Sequence, residues 1–591
     1  MKQFFKMMLA ALCGCILASL ITFFFMITIV GGLVSIASDV EKPNSGILRI
    51  DFSKFAVVES PKTTDLQSVL QGSALPTETL IDITTAIKRA AKDPEIHFLF
   101  LKTDGLVAGI AQIEELRQAI SKFRVSGKAV IAFNEFPSLG SYYLASAADK
   151  VYLSSNSGAG PQITGVTTQM IFVGDLLKKL GINAQLIRHG KYKSAGEMFI
   201  KGEPSKENLE QTEEMISSIW NTIAEGIEES RFINKNKFTA CVNGLKLNTC
   251  QDMVDNGLAD ALFSREELKH RLATLDQKDS FEEVTFVDLP DYIAATKKIV
   301  PEFAKNQIAV LVAEGEIVEG VDDLNIAGDR FATNIAQLRA NDNVKAVVLR
   351  VSSPGGSVLA SDKILSEIKL LKEVKPVIAS YGDYAASGGY WISSNCDYIF
   401  SDKTTLTGSI GVFAMIPDVS KALRDKLSVN IVTVSSAPHA ANLFAPLDAE
   451  SKASLQIQID DIYDKFVENV SSGRDLTPSY VDGIAQGRVW TGVDALGLKL
   501  VDEIGTLDDA IQYAAIAAGD ADLSHWRVRT YGDVELSVLD QLLSSINLTP
   551  DESDVLAGTP LALLGIAIKT WKASSKERFF ARMPYQMVLS N

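Results

Sequence analysis

The sequence is poor in the residues on which metal sites, disulfide scaffolds and histidine-dependent enzymes rely. Its 591 residues include only 5 cysteines and 5 histidines. So few cysteines exclude a disulfide scaffold, and no cysteine–histidine cluster has the spacing of a zinc site. We therefore predict neither a metal nor a cofactor. The net charge of −16 argues against nucleic acid as the main partner.

The few cysteines fall into three sequence contexts. Cys13 and Cys15 lie in an apolar segment near the N-terminus. Cys241 and Cys250 are close enough in sequence to pair in an oxidising compartment, but spacing alone leaves both states open. Cys396 is predicted to belong to a core.

Charged residues are absent from a long N-terminal run, Met7–Ser38. About 20 apolar residues suffice to cross a bilayer, so this run predicts a transmembrane helix. Lys2 and Lys6 precede it, and Asp39 follows it. The positive-inside rule then places the N-terminus in the cytoplasm and the bulk of the chain outside it.

A cleaved signal peptide is the alternative interpretation of this run. The apolar region of a signal peptide is usually shorter, and no convincing small-residue cleavage site ends this one. The segment Leu12–Cys15 is weakly similar to a lipoprotein processing site, but the apolar run continues well beyond it. We therefore predict an uncleaved anchor.

Beyond the anchor, one order of predicted strands and helices occurs twice. The predicted strands of the first copy are Ile47–Phe52, Phe98–Leu101, Ala129–Phe133 and Val151–Leu153. Those of the second copy are Ile308–Val312, Ala346–Val351, Val377–Ser380 and Tyr398–Phe400. Each copy also has a long predicted helix after its core, at residues 206–231 and 449–470.

Short segments match between the copies as well. Ala147–Tyr152 corresponds to Asn395–Phe400, and Asn256–Asp260 corresponds to Leu496–Asp502. A tandem duplication of an α/β unit of roughly 250 residues explains both kinds of match, and that length is usual for a domain.

Four regions follow from this duplication. Residues 1–44 form the cytoplasmic N-terminus and anchor, and residues 45–300 the first repeat. Residues 301–545 form the second repeat, and residues 546–591 a C-terminal tail.

The stretch Tyr384–Trp391 places a serine and two glycines between a predicted strand and a predicted helix. Such a turn presents a hydroxyl beside free helix N–H groups, which suits a nucleophile and the oxyanion it creates. For Ser387 alone, a capping serine in a tight turn is the simpler interpretation. The first copy has Leu139 at the matching position, so only the second copy keeps the hydroxyl.

The first copy instead has Lys193 within the segment Gly190–Glu197. The second copy has Ser435–Ala441 there, without a lysine. Solvent exposure is the common fate of a lysine, so Lys193 alone would indicate little. The reciprocal loss between the copies predicts that Ser387 and Lys193 work together.

A serine nucleophile needs a base to take its proton. His439 is the one histidine that we consider for this role, but no acid is predicted to orient it, so Ser–His–Asp is the weaker option. A lysine base needs no third residue, but its pKa must fall from about 10.4 toward roughly 7–8. Burial among apolar groups lowers a lysine pKa in this way.

Two glycine-containing turns supply further candidates. Ser353–Ser357 follows a predicted buried strand, and its N–H groups, with that of Gly388, can form an oxyanion hole. The first copy has Asp104–Val107 at that place. Ser409, within Thr405–Gly411, is a candidate for orienting the lysine, with an ordinary turn cap as the alternative.

These motifs together resemble a known family. They are Tyr192–Ala195, Ser353–Ser357, Ala386–Trp391, Leu406–Gly411 and Gly487–Gly492. On them, the chain resembles the long, two-domain form of the bacterial signal peptide peptidase A (protease IV) family, from Ile47 to about Gly519. The family pattern has Glu-Pro after the lysine motif, whereas Glu197 is followed here by Met198.

The resemblance implies a membrane-anchored serine endopeptidase with tandem domains of the crotonase/Clp-protease type. It implies a bowl-shaped homotetramer in the bacterial inner membrane, with its catalytic domains on the periplasmic side, that degrades cleaved signal peptides and other apolar peptides. It also implies site roles: nucleophile Ser387, general base Lys193, lysine-orienting Ser409, and an oxyanion hole at Gly355, Gly356 and Gly388.

Two rival functions stay open at this point. An acyl-CoA hydratase or thioesterase on the same fold would need a catalytic Asp/Glu pair and no anchor. A membrane-tethered scaffold with a relict site would not keep the serine and lysine motifs intact, each in its own repeat. The C-terminal stretch Phe579–Val588 is apolar and strand-like at its end. We expect it to pack on a neighbouring subunit or to occupy the groove as a self-substrate.

Overall fold

The computed structural model describes residues 45–60, 75–297, 306–320, 325–432, 434, 436, 439, 445–531 and 579–583. The predicted transmembrane run Met7–Ser38 lies outside these residues. Within the described ranges, none of the helices combines the length and apolar character needed to cross a bilayer.

The first repeat alternates strands and helices. Its strands are β1 (Gly46–Asp51), β2 (Ala56–Val58), β3 (Thr77–Thr79), β4 (Ile96–Lys102), β5 (Val130–Asn134), β6 (Lys150–Ser154), β7 (Asn183–His189), β8 (Ala261–Phe263) and β9 (Phe286–Asp288). Its helices are α1 (Leu80–Lys92), α2 (Ile110–Val125), α3 (Leu139–Ala145), α4 (Gly174–Leu180), α5 (Glu197–Ile200), α6 (Lys206–Arg231), α7 (Lys235–Asn243), α8 (Cys250–Asp255), α9 (Arg265–Leu275) and α10 (Leu289–Lys297).

The second repeat follows the same alternation. Its strands, with the final tail strand, are β10 (Gln307–Glu314), β11 (Ile317–Val318), β12 (Ile326–Ala327), β13 (Val344–Ser353), β14 (Gly355–Ser357), β15 (Val377–Ala386), β16 (Tyr398–Ser401), β17 (Leu406–Gly408), β18 (Val412–Asp418), β19 (Val489–Thr491), β20 (Glu503–Ile504), β21 (Arg527–Tyr531) and β22 (Phe580–Arg582). Its helices are α11 (Gly328–Ala340), α12 (Val358–Lys372), α13 (Gly388–Ser393), α14 (Ser420–Leu427), α15 (Ala449–Arg474), α16 (Pro478–Ile484), α17 (Gly492–Gly497) and α18 (Leu507–Ala517).

The two main sheets share one strand order. The first runs β8-β6-β5-β4-β1-β9, and the second contains the corresponding path β20-β16-β15-β13-β10-β21. Every neighbouring pair along these two paths is parallel. Parallel sheets are covered on both faces, which explains why their central strands are continuous apolar runs. The predicted tandem α/β duplication is confirmed.

Matching hydrogen bonds fix the correspondence between the repeats residue by residue. The hydroxyl of Tyr142 donates to the Leu258 carbonyl, and the hydroxyl of Tyr390 donates to the Leu500 carbonyl. Counting back from these tyrosines again places Leu139 opposite the serine of the second repeat.

The two longest helices are held in the same way in each repeat. The last residue of α6, Arg231, forms an ion pair with Asp260, and the last residue of α15, Arg474, forms one with Asp502. Each aspartate also accepts the backbone N–H of a central strand. A terminal arginine also suits the negative end of the helix dipole.

One strand is longer than predicted. The sequence predicts that the strand before the serine turn ends at Ser380, but β15 continues to Ala386. Its last residues, from Tyr384, pair with β17. A second strand partner therefore stabilises an extended conformation where the local Gly-Asp sequence indicates a loop.

Three of the five cysteines lie within the described residues. Cys241 and Cys250 are buried free thiols. Cys396 belongs to the core of the second repeat, as predicted.

A third sheet joins the repeats and the tail. Its order is β12-β11-β14-β22-β18-β7. Strand β7 of the first repeat pairs antiparallel with β18 of the second along its whole length, from Asn183 opposite Asp418 to His189 opposite Val412. The segment after β7 is thereby directed into the second repeat.

A buried ion cluster also connects the repeats. Arg350 on β13 is fully buried, with Nε 2.9 Å from Oε2 of Glu59 and Nη2 2.6 Å from Oε1 of Glu115. Both carboxylates come from the first repeat. Burial acts to lower the pKa of Arg350, but the carboxylates of Glu115 and Glu59 outweigh it and raise that pKa well above its usual value.

We expect Arg350→Met to destabilise the chain strongly, because it leaves two carboxylates buried without their cation. Such a loss costs about 3–5 kcal/mol, which should lower the midpoint of thermal unfolding by roughly 5–10 °C. The control is Lys465→Met, which removes an exposed ion pair with Asp461 and should change little. Equal melting midpoints for the two variants would contradict this account of the interface.

Candidate active site

The serine turn lies between β15 and α13. Ser387 has φ 57° and ψ −112°, a strained conformation for a residue with a side chain. Its N–H donates to the Gly408 carbonyl at 2.8 Å. Such strain is typical of a sharp strand-to-helix turn that presents a nucleophile.

Lys193 reaches this serine from the first repeat of the same chain. Its Nζ lies 2.8 Å from Ser387 Oγ, 2.9 Å from the Ser409 carbonyl oxygen and 3.0 Å from Ser409 Oγ. Lys193 and both serines are fully buried. The structure thus brings together three residues that the sequence places in three separate motifs.

Burial lowers the pKa of Lys193 well below its ordinary value. Removing an ammonium from water is costly, so the neutral amine is the favoured form in such a place. A neutral amine has two N–H donors and one lone pair. The two oxygens of Ser409 can accept the N–H groups, which leaves the lone pair for the Ser387 hydroxyl.

A glycine from the second repeat makes room for the lysine backbone. Gly487 has φ 80°, and a methyl group there would lie 2.6 Å from both Cβ and N of Lys193. The N–H of the neighbouring Tyr192 donates to the Gln486 carbonyl at 2.9 Å. The lysine segment therefore lies directly against the turn that precedes β19.

Side chains of the first repeat hold the lysine segment from its other side. Arg188 donates to the Lys193 carbonyl at 2.6 Å and to the buried carboxylate of Glu197 at 3.0 Å. Gln211 on α6 donates to the Tyr192 carbonyl, and its own amide oxygen accepts the N–H of Val489. These contacts fix the position of the amine.

The glycine turn lies next to the serine. Gly355 has φ 94°, and a methyl group there would lie 2.6 Å from the Gly388 nitrogen. The N–H of Gly355 itself donates to Ser353 Oγ at 3.2 Å. Because this N–H already has an acceptor, we expect Gly356 and Gly388 to be the donors of the predicted oxyanion hole and Gly355 to line it.

Comparison with known proteins identifies the family of this chain. The model of the peptidase family S49 matches residues 122–279 and 369–520. Protease 4 of Haemophilus influenzae is 35% identical over 502 residues, which cover 82% of this chain and 81% of that protein. Protease 4 of Salmonella typhi is 33% identical over 578 residues, 93% of this chain and 91% of that protein.

The chain belongs to peptidase family S49. It is a serine peptidase with two S49 domains, and the predicted resemblance to protease IV is confirmed. The chloroplastic serine protease SPPA of Arabidopsis thaliana is also similar, at 32% identity over 439 residues, 72% of this chain and 64% of that protein.

The histidine option does not describe this S49 site. His439 is exposed, and its Nδ1 lies 2.8 Å from an Asp448 carboxylate oxygen. The expectation that no acid would orient His439 was wrong, because the partner comes from the start of α15 rather than from a neighbouring residue. In the described ranges, His439, Asp448 and Glu450 are also the group whose atoms lie close enough to share a metal ion, and all three are exposed.

Sequence reasoning missed the residues that position the lysine of this S49 peptidase. Gln211 lies in an ordinary amphipathic helix, and nothing local distinguishes it. Glu197 was noted as part of a motif, but its pairing with Arg188 was not expected. Glu197 is fully buried, which is rare for a glutamate, but burial is a tertiary property for which the sequence gives no local signal.

We expect Gly487→Ala to lower kcat/KM for an apolar peptide by about 100-fold, because the added methyl displaces Lys193 and small displacements of a catalytic group are costly. The control is Gly483→Ala, where a methyl would meet no atom within 4 Å. Wild-type kcat/KM in Gly487→Ala, with an unchanged melting midpoint, would contradict the proposed contact.

Proposed function

We propose that this S49 serine peptidase is a Ser-Lys endopeptidase with Ser387 as nucleophile and Lys193 as general base. The observation that carries the proposal is the 2.8 Å contact between a fully buried lysine amine and the serine hydroxyl. Ser409 orients the amine, and the N–H groups of Gly356 and Gly388 form the oxyanion hole.

The reaction follows from this arrangement. Neutral Lys193 takes the Ser387 proton as Oγ bonds to the peptide carbonyl carbon, and the oxyanion receives two N–H donors. The new ammonium gives its proton to the departing amine as the C–N bond breaks. Water, activated by the same amine, then hydrolyses the ester and restores both side chains.

The rival chemistries lack support in the described residues. A hydratase would need a carboxylate pair at the reacting centre, whereas the groups within hydrogen-bonding distance of the lysine amine belong to Ser387 and Ser409. A relict site would not preserve two serines from separate segments that both hydrogen-bond to one buried lysine amine.

We further propose a cellular location and a substrate class for this peptidase. We infer that Met7–Ser38 anchors the chain in the bacterial inner membrane, with both repeats on the periplasmic side. The charge-free run and the preceding lysines support this. An anchored site would act on signal peptides left in the bilayer after secretion, since tethering raises the effective concentration of the enzyme near them. The crotonase/Clp-protease type of fold and the homotetramer rest on the resemblance and stay predictions.

We expect Ser387→Ala and Lys193→Met to lower kcat for an apolar peptide by at least about 1,000-fold, since each removes one half of the dyad. In the wild type, kcat/KM should fall tenfold per pH unit below the pKa of Lys193 and reach a plateau above it, because only the neutral amine is a base. That plateau should begin well below pH 10.5, the ordinary pKa of a lysine, since burial lowers this pKa.

The matched control for this test is Lys191→Met, which removes an exposed lysine two positions away and should leave kcat unchanged. Full turnover in Ser387→Ala or Lys193→Met would exclude the dyad. A rate that still rises at pH 10 would show that the base is an ordinary, solvated lysine.

We expect the full-length chain to sediment with membranes and to resist extraction by alkaline carbonate. Deletion of residues 7–38 should release it, because no other charge-free run of that length is present. In spheroplasts, an added protease should digest the repeats. A carbonate-soluble full-length chain, or repeats protected in spheroplasts, would contradict the proposed anchor or its orientation.

A further inference from the structure

The turn Gln486–Arg488 of the second repeat contacts both segments that surround the amine of Lys193. The carbonyl of its first residue accepts the N–H of Tyr192 at 2.9 Å. The carbonyl of its last residue accepts the N–H of Ser409 at 2.7 Å. The position of this turn therefore affects both the lysine and the serine that orients it.

The backbone of this turn is strained. Gln486 has φ 55° and the following Gly487 has φ 80°. A glycine adopts this left-handed region freely, whereas a residue with a side chain stays there only when its surroundings hold it. Gln486 therefore depends on contacts from outside the turn.

Tyr463, a buried residue of helix α15, supplies those contacts. The side-chain amide of Gln486 donates to the Tyr463 hydroxyl at 3.1 Å and to Oδ1 of Asp482 at 2.5 Å. The Tyr463 hydroxyl in turn donates to the same carboxylate oxygen at 2.6 Å. Burial and the hydrogen bond to Asp482 raise the pKa of Tyr463 above its ordinary value, so the hydroxyl keeps its proton.

The ring of Tyr463 contacts the lysine segment from the other side. It stacks on His189, the last residue of β7, with ring centroids 3.8 Å apart and ring planes 13° apart. His189 Nδ1 also lies 2.7 Å from a carboxylate oxygen of Asp460 on α15. A methyl group on the next residue, Gly190, would lie 2.5 Å from the carbonyl carbon and oxygen of Gln486. One tyrosine thus contacts both the end of β7 and the turn that packs on it.

We propose that Tyr463 is a positioning residue for the base Lys193. It acts through the turn Gln486–Arg488 on one side and through His189 on the other. This inference rests on the Ser-Lys function proposed above. Without the hydroxyl, the turn loses the contact that holds its strained residue, so the amine shifts and water reaches it. A shifted amine is a poorer catalyst, and a hydrated one is more readily protonated.

Tyr463→Phe tests this role, because it removes the hydroxyl and keeps the ring that stacks on His189. We expect kcat for an apolar peptide to fall roughly tenfold, with KM nearly unchanged, since the reacting groups and not the bound peptide are displaced. The low-pH limb of the kcat/KM profile should also move toward higher pH, because water around the amine raises the pKa of Lys193.

The matched control is Tyr142→Phe. Tyr142 is also buried, and its hydroxyl donates to the Leu258 carbonyl at 2.7 Å within the first repeat. Both variants lose a buried hydrogen bond, so both should lower the melting midpoint, but Tyr142→Phe should keep the wild-type kcat and pH profile. Equal changes of kcat and pH profile in the two variants would overturn the positioning role, because they would reflect lost stability alone.

A double variant tests the path through the turn. Gln486→Met removes the amide that bonds to Tyr463 and should lower kcat to a similar extent. The double variant Tyr463→Phe/Gln486→Met should be no slower than the slower single variant, because both changes break one contact. Losses that multiply would overturn the path through Gln486.

Lys193→Met separates this inference from the function on which it rests. Full turnover by Lys193→Met would overturn the Ser-Lys function and the role of Tyr463 with it. An inactive Lys193→Met beside a Tyr463→Phe that keeps the wild-type kcat and pH profile would overturn the role of Tyr463 alone.

Discussion

The site depends on one constraint: among the described residues, no carboxylate pairs with the buried amine of Lys193. Lys193 and Arg350 are both fully buried, yet their pKa values move in opposite directions. Arg350 lies between the carboxylates of Glu59 and Glu115 and stays charged. Lys193 has serine oxygens around its amine, and burial lowers its pKa. Neutral oxygen acceptors in place of carboxylates favour the neutral amine, which is the form that the proposed base requires.

This constraint explains how the two repeats divide their tasks. An amine that must be neutral has to be enclosed on every side, and a lysine at the junction of two repeats can be enclosed by both. The pairing of β7 with β18 carries the lysine segment across. Gln211 from one repeat and Gly487 from the other then close around Lys193. The first repeat no longer needs its own serine, and the second no longer needs its own lysine.

The sequence predicts the dyad better than it predicts its surroundings. Ser387 and Lys193 can be paired because the duplication offers an internal comparison, and each repeat lacks what the other has. The extension of β15 to Ala386, the Arg188–Glu197 pair and the partner of His439 depend on tertiary contacts that leave no local pattern. The position of the tail is of the same kind: its apolar character indicates a bound strand, but only the tertiary structure shows that β22 pairs with β14 and β18.

The most direct test of the central claim is the protonation of Lys193 itself. Lysines labelled with ¹³C at Cε can be titrated by NMR in the full-length chain, with Lys193→Met identifying the resonance. The account predicts a titration midpoint well below the ordinary value of 10.5, while the exposed lysines titrate normally. A midpoint for Lys193 near that ordinary value would show that the buried amine is charged at neutral pH and would contradict its role as the base.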